Sequence, residues 1–336
     1  MTSLSSPLAR LPDPSGPELV LVLGSGGARG LSHIPVLEAL DELGLKPALI
    51  AGSSMGAIVG AAYAAGLSGR DLRAHVEASF RDRARVIARL LEARIGKIAD
   101  LWRGGLGNPV LIDGERLLDL FWPQAVPDRF EELGIPFLAV ATDYHLHDEV
   151  VLSSGPLTPA VAASLAIPGL VKPVTIGGRV LIDGGAINPL PYDRLLGPGR
   201  LVLAIDTSAP ATVSDSRVPE PLEAMVGVSQ ILTRALVQRM IERQPPNILI
   251  RAGGEGFGGL DFFRWQAILE AASRRRKRSS GDCQRRSNGR REGGFGLVAA
   301  ETGQTGLQRR TPIIGQDHGA AVFHPLHPAS LEAATS

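Results

Sequence analysis

The chain has 336 residues, of which 44% are hydrophobic and 21% are charged, so it has the composition of an ordinary globular protein. The length suits one large domain with a tail, and the composition excludes a chain that is disordered throughout. Its formal net charge of +1 conceals a mildly acidic body and a basic region after residue 272. The single cysteine, Cys283, cannot form an internal disulfide, so the fold does not depend on an oxidising compartment.

The first residues show no basic segment followed by an apolar core, which is the pattern of a secretory signal. The apolar runs also fall short of the roughly 18 residues that span a bilayer. We therefore expect a cytoplasmic protein, and peripheral contact with a membrane surface stays open. The prolines of residues 1–16 suit a flexible leader.

The next part of the chain has the pattern of two consecutive strand-turn-helix units. The apolar run 18–23 ends in the glycine-rich sequence GSGGARG, after which leucine and isoleucine recur at helical spacing. The run 47–51 ends in GSSMG and is followed by a helix of small residues to about Ala65. Two such units in succession indicate a parallel sheet covered by helices.

The alternation of strands and helices continues along the chain. Residues 68–100 are helical in pattern, 104–114 have the composition of a loop, and Pro159 opens a helix that ends before Pro168. A long helix is expected over residues 220–243. Further strands are expected at residues 136–141, 149–152, 180–182, 200–205 and 247–250.

Apolar periodicity ends near residue 272. The residues that follow begin with the basic run RRRKR and continue with Gly, Arg, Ser and Gln. We therefore place one folded domain at residues 17–272 and expect residues 273–336 to form a basic, disordered tail. A natural tail and a reading-frame or cloning artefact both account for the change. Membrane binding by the run at 274–278 is a weaker interpretation than a solvated tail.

The sequence Gly52-Ser53-Ser54-Met55-Gly56 is the first candidate for chemistry. It is a Gly-x-Ser-x-Gly between an apolar strand and a small-residue helix, which is the setting of a nucleophile elbow. The turn strains the backbone of Ser54, and glycine at 52 and 56 avoids side-chain collisions. We therefore predict that Ser54 is a nucleophile.

The glycine-rich loop after the first strand is the second candidate. Small residues there expose successive backbone amides at the start of a helix, which favours binding of an anion. A dinucleotide site would have a third glycine where Arg29 stands, so an oxyanion hole beside Ser54 fits better. For the arginine itself, pairing with a carboxylate and contact with a substrate phosphate stay equally open.

Asp183-Gly184-Gly185, at the end of another strand, is the third candidate, although alone it has the pattern of an ordinary turn. A serine nucleophile needs a base, which is most often histidine. His33 and His145 could lie near the site, but no histidine follows a late strand in the order that α/β-hydrolases use. This favours a carboxylate that activates the serine directly.

In this order and spacing, GSGGARG, GSSMG and DGG resemble the patatin-like phospholipase family over roughly residues 18–270. The stretch Ala163-Ser164-Leu165-Ala166-Ile167-Pro168 also looks like a segment of that family. The resemblance implies a three-layer α/β/α sandwich with a mainly parallel central sheet. It also implies hydrolysis of acyl esters of phospholipids, lysophospholipids or related lipids without a metal or cofactor.

Matched position by position, the resemblance implies roles for individual residues. Ser54 would be the nucleophile and Asp183 its base. The oxyanion donors would be the amides of Gly26, Gly27, Ala28 and Arg29. Supporting roles would fall to the glycines of the three motifs, namely Gly30, Gly52, Gly56, Gly184 and Gly185. Ser25 departs from the family, many of whose members have a further glycine there.

Two other functions stay open at this point. The first is an acyltransferase or thioesterase that acts on carrier-bound acyl groups with His33 or His145 as base. The second is a non-catalytic module whose glycine loop binds an anion. We expect a lipid or acyl-ester partner and no nucleic acid, and the sequence does not indicate the oligomeric state.

Overall fold

The computed structural model describes residues 17–93, 112–208, 218, 221–254 and 256–274. The predicted leader, the loop up to residue 111, the end of the helical stretch 68–100 and the tail after residue 274 lie outside these ranges. Residues 265–274 are helical, so a helix passes the predicted boundary at 272.

Eight strands form one sheet. They are β1 (Glu18–Leu23), β2 (Leu49–Ser53), β3 (Phe137–Asp143), β4 (Asp148–Leu152), β5 (Val174–Ile176), β6 (Arg179–Asp183), β7 (Arg200–Asp206) and β8 (Ile248–Arg251). The strands pair in the succession β5-β6-β3-β2-β1-β7-β8, and β4 also pairs with β3. Strands β6 and β2 pair with different residues of β3. The block β3-β2-β1-β7-β8 is parallel throughout, whereas β4, β5 and β6 pair antiparallel. The predicted α/β fold with a mainly parallel sheet is confirmed.

Helices cover the two faces of this sheet. They are α1 (His33–Glu42), α2 (Met55–Ala64), α3 (Gly69–Phe80), α4 (Arg83–Glu92), α5 (Gly114–Phe121), α6 (Leu157–Ser164), α7 (Pro221–Arg243) and α8 (residues 265–274). No helix in the described part of the chain is long and apolar enough to cross a membrane.

Alternate residues of the central strands belong to two hydrophobic cores. Leu21 and Leu23 of β1 pack in the core that α1 to α6 build on one face. Val20 and Val22 belong to a second core on the other face, to which α7 contributes Val237. Because successive side chains of a strand point to opposite faces, this alternation produces helix, sheet and helix layers.

The end of β2 meets the end of β6 on one edge of β3. At residues 139 and 140 β3 pairs with both β2 and β4, and at residues 141–143 it pairs with both β4 and β6. Since β4 occupies one edge, β2 and β6 share the other. Ser53 is opposite Val140, and Asp183 is opposite the next residue, Ala141. The two strands run in opposite directions, so their carboxyl ends face each other.

Three local features differ from the sequence-based expectations. Helix α5 was not predicted. It begins at Gly114, the last residue of the expected loop, and the Asp113 side chain caps it by accepting hydrogen bonds from the amides of Glu115 and Arg116. The helical stretch after residue 68 is divided at Asp82, whose side chain caps the start of α4. The short strand β5 was not predicted, and its three residues are too few to show a clear pattern.

Gly56 offers a test of how tightly α2 packs on the sheet. A Cβ at this position would collide with the carbonyl of Leu23, which is backbone and cannot rotate away. We expect Gly56→Ala to lower the free energy of unfolding by at least about 3 kcal/mol, measured by denaturant titration.

Gly227 in α7 is the matched control, because a Cβ there meets no heavy atom within 4 Å. Gly227→Ala should stabilise the protein by about 0.5 to 1 kcal/mol through helix propensity. Equal effects of the two substitutions would contradict the packing described here.

Candidate active site

Ser54 lies between β2 and α2 with a backbone φ of 56° and ψ of −123°. This conformation is costly for a residue with a side chain, and the surrounding structure must hold it in place. Glycine at position 52 is required for the turn, because a Cβ there would collide with the carbonyl of Gly56. The strained backbone that the sequence predicts at Ser54 is therefore present.

Ser164 at the end of α6 holds the backbone of Ser54 from the other side. Its Oγ accepts a hydrogen bond of 3.0 Å from the amide of Ser54 and donates one of 2.6 Å to the carbonyl of Val140. Two residues later, the carbonyl of Ala166 accepts a hydrogen bond from the amide of Asp183. The segment 163–168, noted in the sequence for its resemblance, thus contacts both Ser54 and Asp183.

The side chains of Ser54 and Asp183 are in direct contact. The Ser54 hydroxyl donates a hydrogen bond of 2.6 Å to Oδ2 of Asp183, and the amide of Gly185 donates one of 2.7 Å to Oδ1. Ser54 is 5% exposed and Asp183 is 8% exposed. Burial raises the pKa of Asp183 to about 6, and the hydrogen bonds from Ser54 and Gly185 oppose this shift.

The two positions after Asp183 require glycine, because neither has room for a side chain. A Cβ on Gly184 would collide with the carbonyl of Val140, on the strand that both β2 and β6 contact. A Cβ on Gly185 would lie 2.8 Å from Oδ1 of Asp183 and 2.9 Å from Oγ of Ser25. Larger residues would push the carboxylate away from its position beside the serine.

The glycine-rich loop follows β1, the neighbour of β2, and so lies beside Ser54. Gly27 has a φ of 55°, and a Cβ on Gly30 would collide with the side chain of Met55 in α2. The Ala28 amide donates to the carbonyl of Gly259, and the Arg29 amide donates to that of Gly26. Within the described residues, the amides of Gly26 and Gly27 have no protein acceptor. These two amides are the donors left for a ligand.

The side chain of Arg29 is buried beneath this loop. Its Nε is 3.4 Å from the carbonyl oxygen of Gly26. Burial lowers the pKa of the guanidinium, and the charge of Asp206 opposes that effect. This buried charge stands beside a small cavity of about 40 Å³ that also reaches Ser54 and Asp183 and is lined mainly by polar side chains. We call it the polar cavity.

A larger apolar cavity of about 220 Å³ lies on another side of Ser54. Its walls come from α2, α4, α5, the segment after α6 and the region around residue 260. Apart from Ser54, the side chains that line it are apolar: Met55, Ile58, Phe80, Val86, Leu90, Ile112, Leu117, Leu165, Ile167, Leu170, Val171, Leu260, Phe262 and Phe263. Ser54 therefore lies where a polar and an apolar space meet.

The two histidines considered as bases are placed elsewhere. His33 is fully buried, its Nε2 lies 2.9 Å from the carbonyl oxygen of Gly24, and burial lowers its pKa to about 4. His145 lies in the exposed turn after β3, with its ring against Tyr144. Neither lines the two cavities at Ser54.

A strained serine at a strand-to-helix turn, hydrogen-bonded to a buried carboxylate beside unpaired backbone amides, is an arrangement suited to nucleophilic catalysis. The profile of the family described as patatin-like phospholipase matches residues 21–196, which is more than half of the chain. The chain belongs to the patatin-like phospholipase family.

Several curated proteins are similar to this chain. An uncharacterised NTE family protein of Mycobacterium tuberculosis is 42% identical over 54% of this chain, and the match covers 47% of that protein. Patatin-like phospholipase domain-containing protein 6 of Mus musculus is 33% identical over 58% of this chain and 14% of its own length. Lysophospholipase NTE1 of Kluyveromyces lactis is 26% identical over 76% of this chain and 19% of its own. The chain spans about half or less of each relative.

Sequence reasoning missed two parts of the site. It did not assign Ser164 a function, because a buried serine near the end of a helix has no distinctive pattern. It also did not identify the apolar cavity, whose walls come from segments far apart in the chain. Only the resemblance of the segment 163–168 offered a signal for the first.

Ser164 can be tested as a positioning residue. Ser164→Ala removes the acceptor for the Ser54 amide, so the elbow loses one of its restraints. We expect kcat for a soluble ester to fall about 10- to 100-fold with little change in KM, measured by steady-state kinetics. Ser164→Thr keeps the hydroxyl and should recover part of the loss, whereas equal losses in both variants would indicate a packing defect.

Proposed function

We propose that this protein is a serine hydrolase that cleaves acyl esters of lipids through a dyad of Ser54 and Asp183. The observation that carries the proposal is the 2.6 Å hydrogen bond from the Ser54 hydroxyl to Oδ2 of Asp183. A hydroxyl needs a base to become nucleophilic, and this carboxylate is its hydrogen-bond partner. The family supports a lipid ester as substrate.

The reaction would take place in two steps at Ser54. Its Oγ attacks the ester carbonyl carbon while Asp183 accepts the hydroxyl proton, and a tetrahedral intermediate forms. The intermediate collapses, the alcohol leaves with the proton from Asp183, and the acyl group stays on Ser54. Water then attacks the acyl-enzyme, Asp183 takes a proton from the water, and the carboxylic acid leaves as Ser54 recovers its own.

The amides of Gly26 and Gly27 are our choice as oxyanion donors among the four candidates in the loop. They line the polar cavity with Ser54, and their hydrogens are not used by other described groups. Ala28 and Arg29 already donate their amide hydrogens to carbonyls, so they would hold the loop in shape. One donor of this kind is typically worth about 100- to 1000-fold in rate.

The two cavities support an amphipathic substrate. The apolar cavity of about 220 Å³ exceeds the roughly 150 Å³ in which a benzene molecule binds, so it would hold roughly eight or nine carbons of an acyl chain. The polar cavity with Arg29 would face the alcohol side of the ester, where a phospholipid or lysophospholipid carries its phosphate. The relative from K. lactis named a lysophospholipase supports this class of substrate.

The dyad is tested by two substitutions. Ser54→Ala removes the nucleophile, and Asp183→Asn removes the base while keeping the size of the side chain. We expect each to lower kcat/KM for a chromogenic acyl ester at least about 1000-fold with an unchanged circular dichroism spectrum. A fluorophosphonate probe should label the wild type at Ser54.

Ser53→Ala is the matched control for this experiment. The Ser53 hydroxyl contacts Oγ of Ser25 and not Asp183, so labelling at Ser54 should persist. Turnover that survives in Asp183→Asn would refute the dyad. A well-folded wild type that takes up no probe would instead favour a module that only binds an anion.

The pKa of Asp183 gives a pH dependence with a defined sign. The carboxylate must be ionised to accept the serine proton, and burial raises its pKa to about 6. We expect kcat/KM to be flat above pH 6 and to fall about tenfold per pH unit below it. The measurement is hydrolysis of a soluble ester at constant ionic strength, with unfolding followed in parallel. An activity that stays constant down to about pH 4.5 would contradict the assignment.

A further inference from the structure

Helix α4 forms part of the wall of the apolar cavity. Its inward side chains, Val86 and Leu90, line the cavity that contains Ser54. Val86 is buried, and Leu90 is partly buried. Arg83 also holds the helix to the cavity wall, because its guanidinium donates a hydrogen bond to the carbonyl of Phe263 and lies over the ring of that residue.

The opposite side of α4 carries a second apolar stripe. Ala84, Ile87, Ala88 and Leu91 have the spacing i, i+3, i+4 and i+7, which places them on one face of a helix. All four are exposed, with Ile87 at 49% and Leu91 at 55%. We call these four residues the outer face of α4. An apolar helix stripe normally points to a core, and this one points to solvent.

Arginines flank the outer face on both sides. At 3.6 residues per turn, Arg83 lies along one border, and Arg85 and Arg89 lie along the other. The helix has one acidic residue, Glu92, which lies along the same border as Arg85 and Arg89. Within the described ranges, neither Arg85 nor Arg89 has a carboxylate at ion-pair distance. Their charges are available to an outside partner.

We propose that the outer face of α4 binds an anionic lipid surface and places the apolar cavity directly beneath it. This inference rests on the proposed function, because it assigns the surface from which the lipid substrate comes. An apolar stripe bordered by arginines is the pattern of a helix that lies in a membrane interface. Ile87 and Leu91 would enter the acyl region, and the arginines would bind the phosphates of the lipid headgroups.

The charge pattern favours lipid over a protein partner or a second copy of the chain. Arginines outnumber the acidic residue on the borders of the outer face by three to one, so two copies would bring arginines together, which is unfavourable. A lipid surface offers a dense negative charge above an apolar layer, and this matches both parts of the helix. A substrate leaving that surface would reach Ser54 past Val86 and Leu90.

Binding is measured by flotation of the full-length protein with two kinds of vesicle, made of phosphatidylcholine alone or with added phosphatidylglycerol. We expect binding to increase with the anionic lipid and to weaken as salt is raised, since screening reduces the attraction of the arginines. Equal binding to both kinds of vesicle, or none to either, would overturn the proposal.

Two double variants test the helix itself. Ile87→Asn with Leu91→Asn should weaken vesicle binding about tenfold, because their apolar surface is no longer inserted. Arg85→Gln with Arg89→Gln should weaken it about 25-fold, or about fivefold per charge. The matched controls are Leu43→Asn with Leu45→Asn, beyond the end of α1, and Arg239→Gln with Arg243→Gln, near the end of α7. These positions are also exposed, and the controls should bind as the wild type does.

Activity separates this inference from the proposed dyad. The α4 variants should hydrolyse a soluble monomeric ester at the wild-type rate and lose activity only toward vesicles. Ser54→Ala should bind vesicles normally and hydrolyse neither substrate, so failure of the dyad leaves the binding result intact.

Wild-type binding by the α4 variants would assign any lipid binding to another part of the chain. Self-association that Ile87→Asn with Leu91→Asn abolishes would assign the face to a second copy. Either result overturns the proposal.

Discussion

The contact between Ser54 and Asp183 depends on two strands that end opposite each other on one edge of β3. β2 runs parallel to β3 and β6 runs antiparallel to it, so Ser53 and Asp183 occupy neighbouring register positions at Val140 and Ala141. The next residue after β2 is Ser54, and its hydroxyl reaches the carboxylate at 2.6 Å. Glycine is required around this contact, because side chains at positions 52, 56 and 184 would collide with backbone carbonyls.

Burial makes Asp183 a stronger base in its contact with Ser54. A carboxylate with few water contacts is a stronger base, which the raised pKa of Asp183 expresses, and backbone amides next to it act in a medium of low dielectric constant. Burial also has a cost, because above its pKa the Asp183 carboxylate carries a buried charge that is unfavourable in the folded state. The hydrogen bonds from Ser54 and Gly185 reduce this cost, and a strained serine backbone is held by Ser164. Strain and burial are thus concentrated where the proposed reaction needs them.

The two sides of Ser54 differ in polarity. The polar cavity with the buried Arg29 lies on one side of Ser54. The apolar cavity, which α4 helps to line, lies on another. An ester that joins an acyl chain to a polar alcohol has the same two-sided character. The outer face of α4 continues this arrangement to the surface, because one short helix contacts the apolar space with Val86 and Leu90 and exposes Ile87 and Leu91 to solvent.

The sequence by itself determined the first two strands of the sheet, the helices after them and the turn at Ser54. Apolar runs followed by glycine-rich turns identify β1, β2 and their helices, because their signals are local: periodicity for the elements and missing side chains for the turns. The same locality explains what was missed, since Asp113-Gly114 has the pattern of a loop and the helix that Asp113 caps was not predicted. Only the tertiary structure decided which residues meet. The opposite direction of β6, the hydrogen bond from Ser164 and the walls of the apolar cavity depend on contacts between distant segments, for which no local pattern exists.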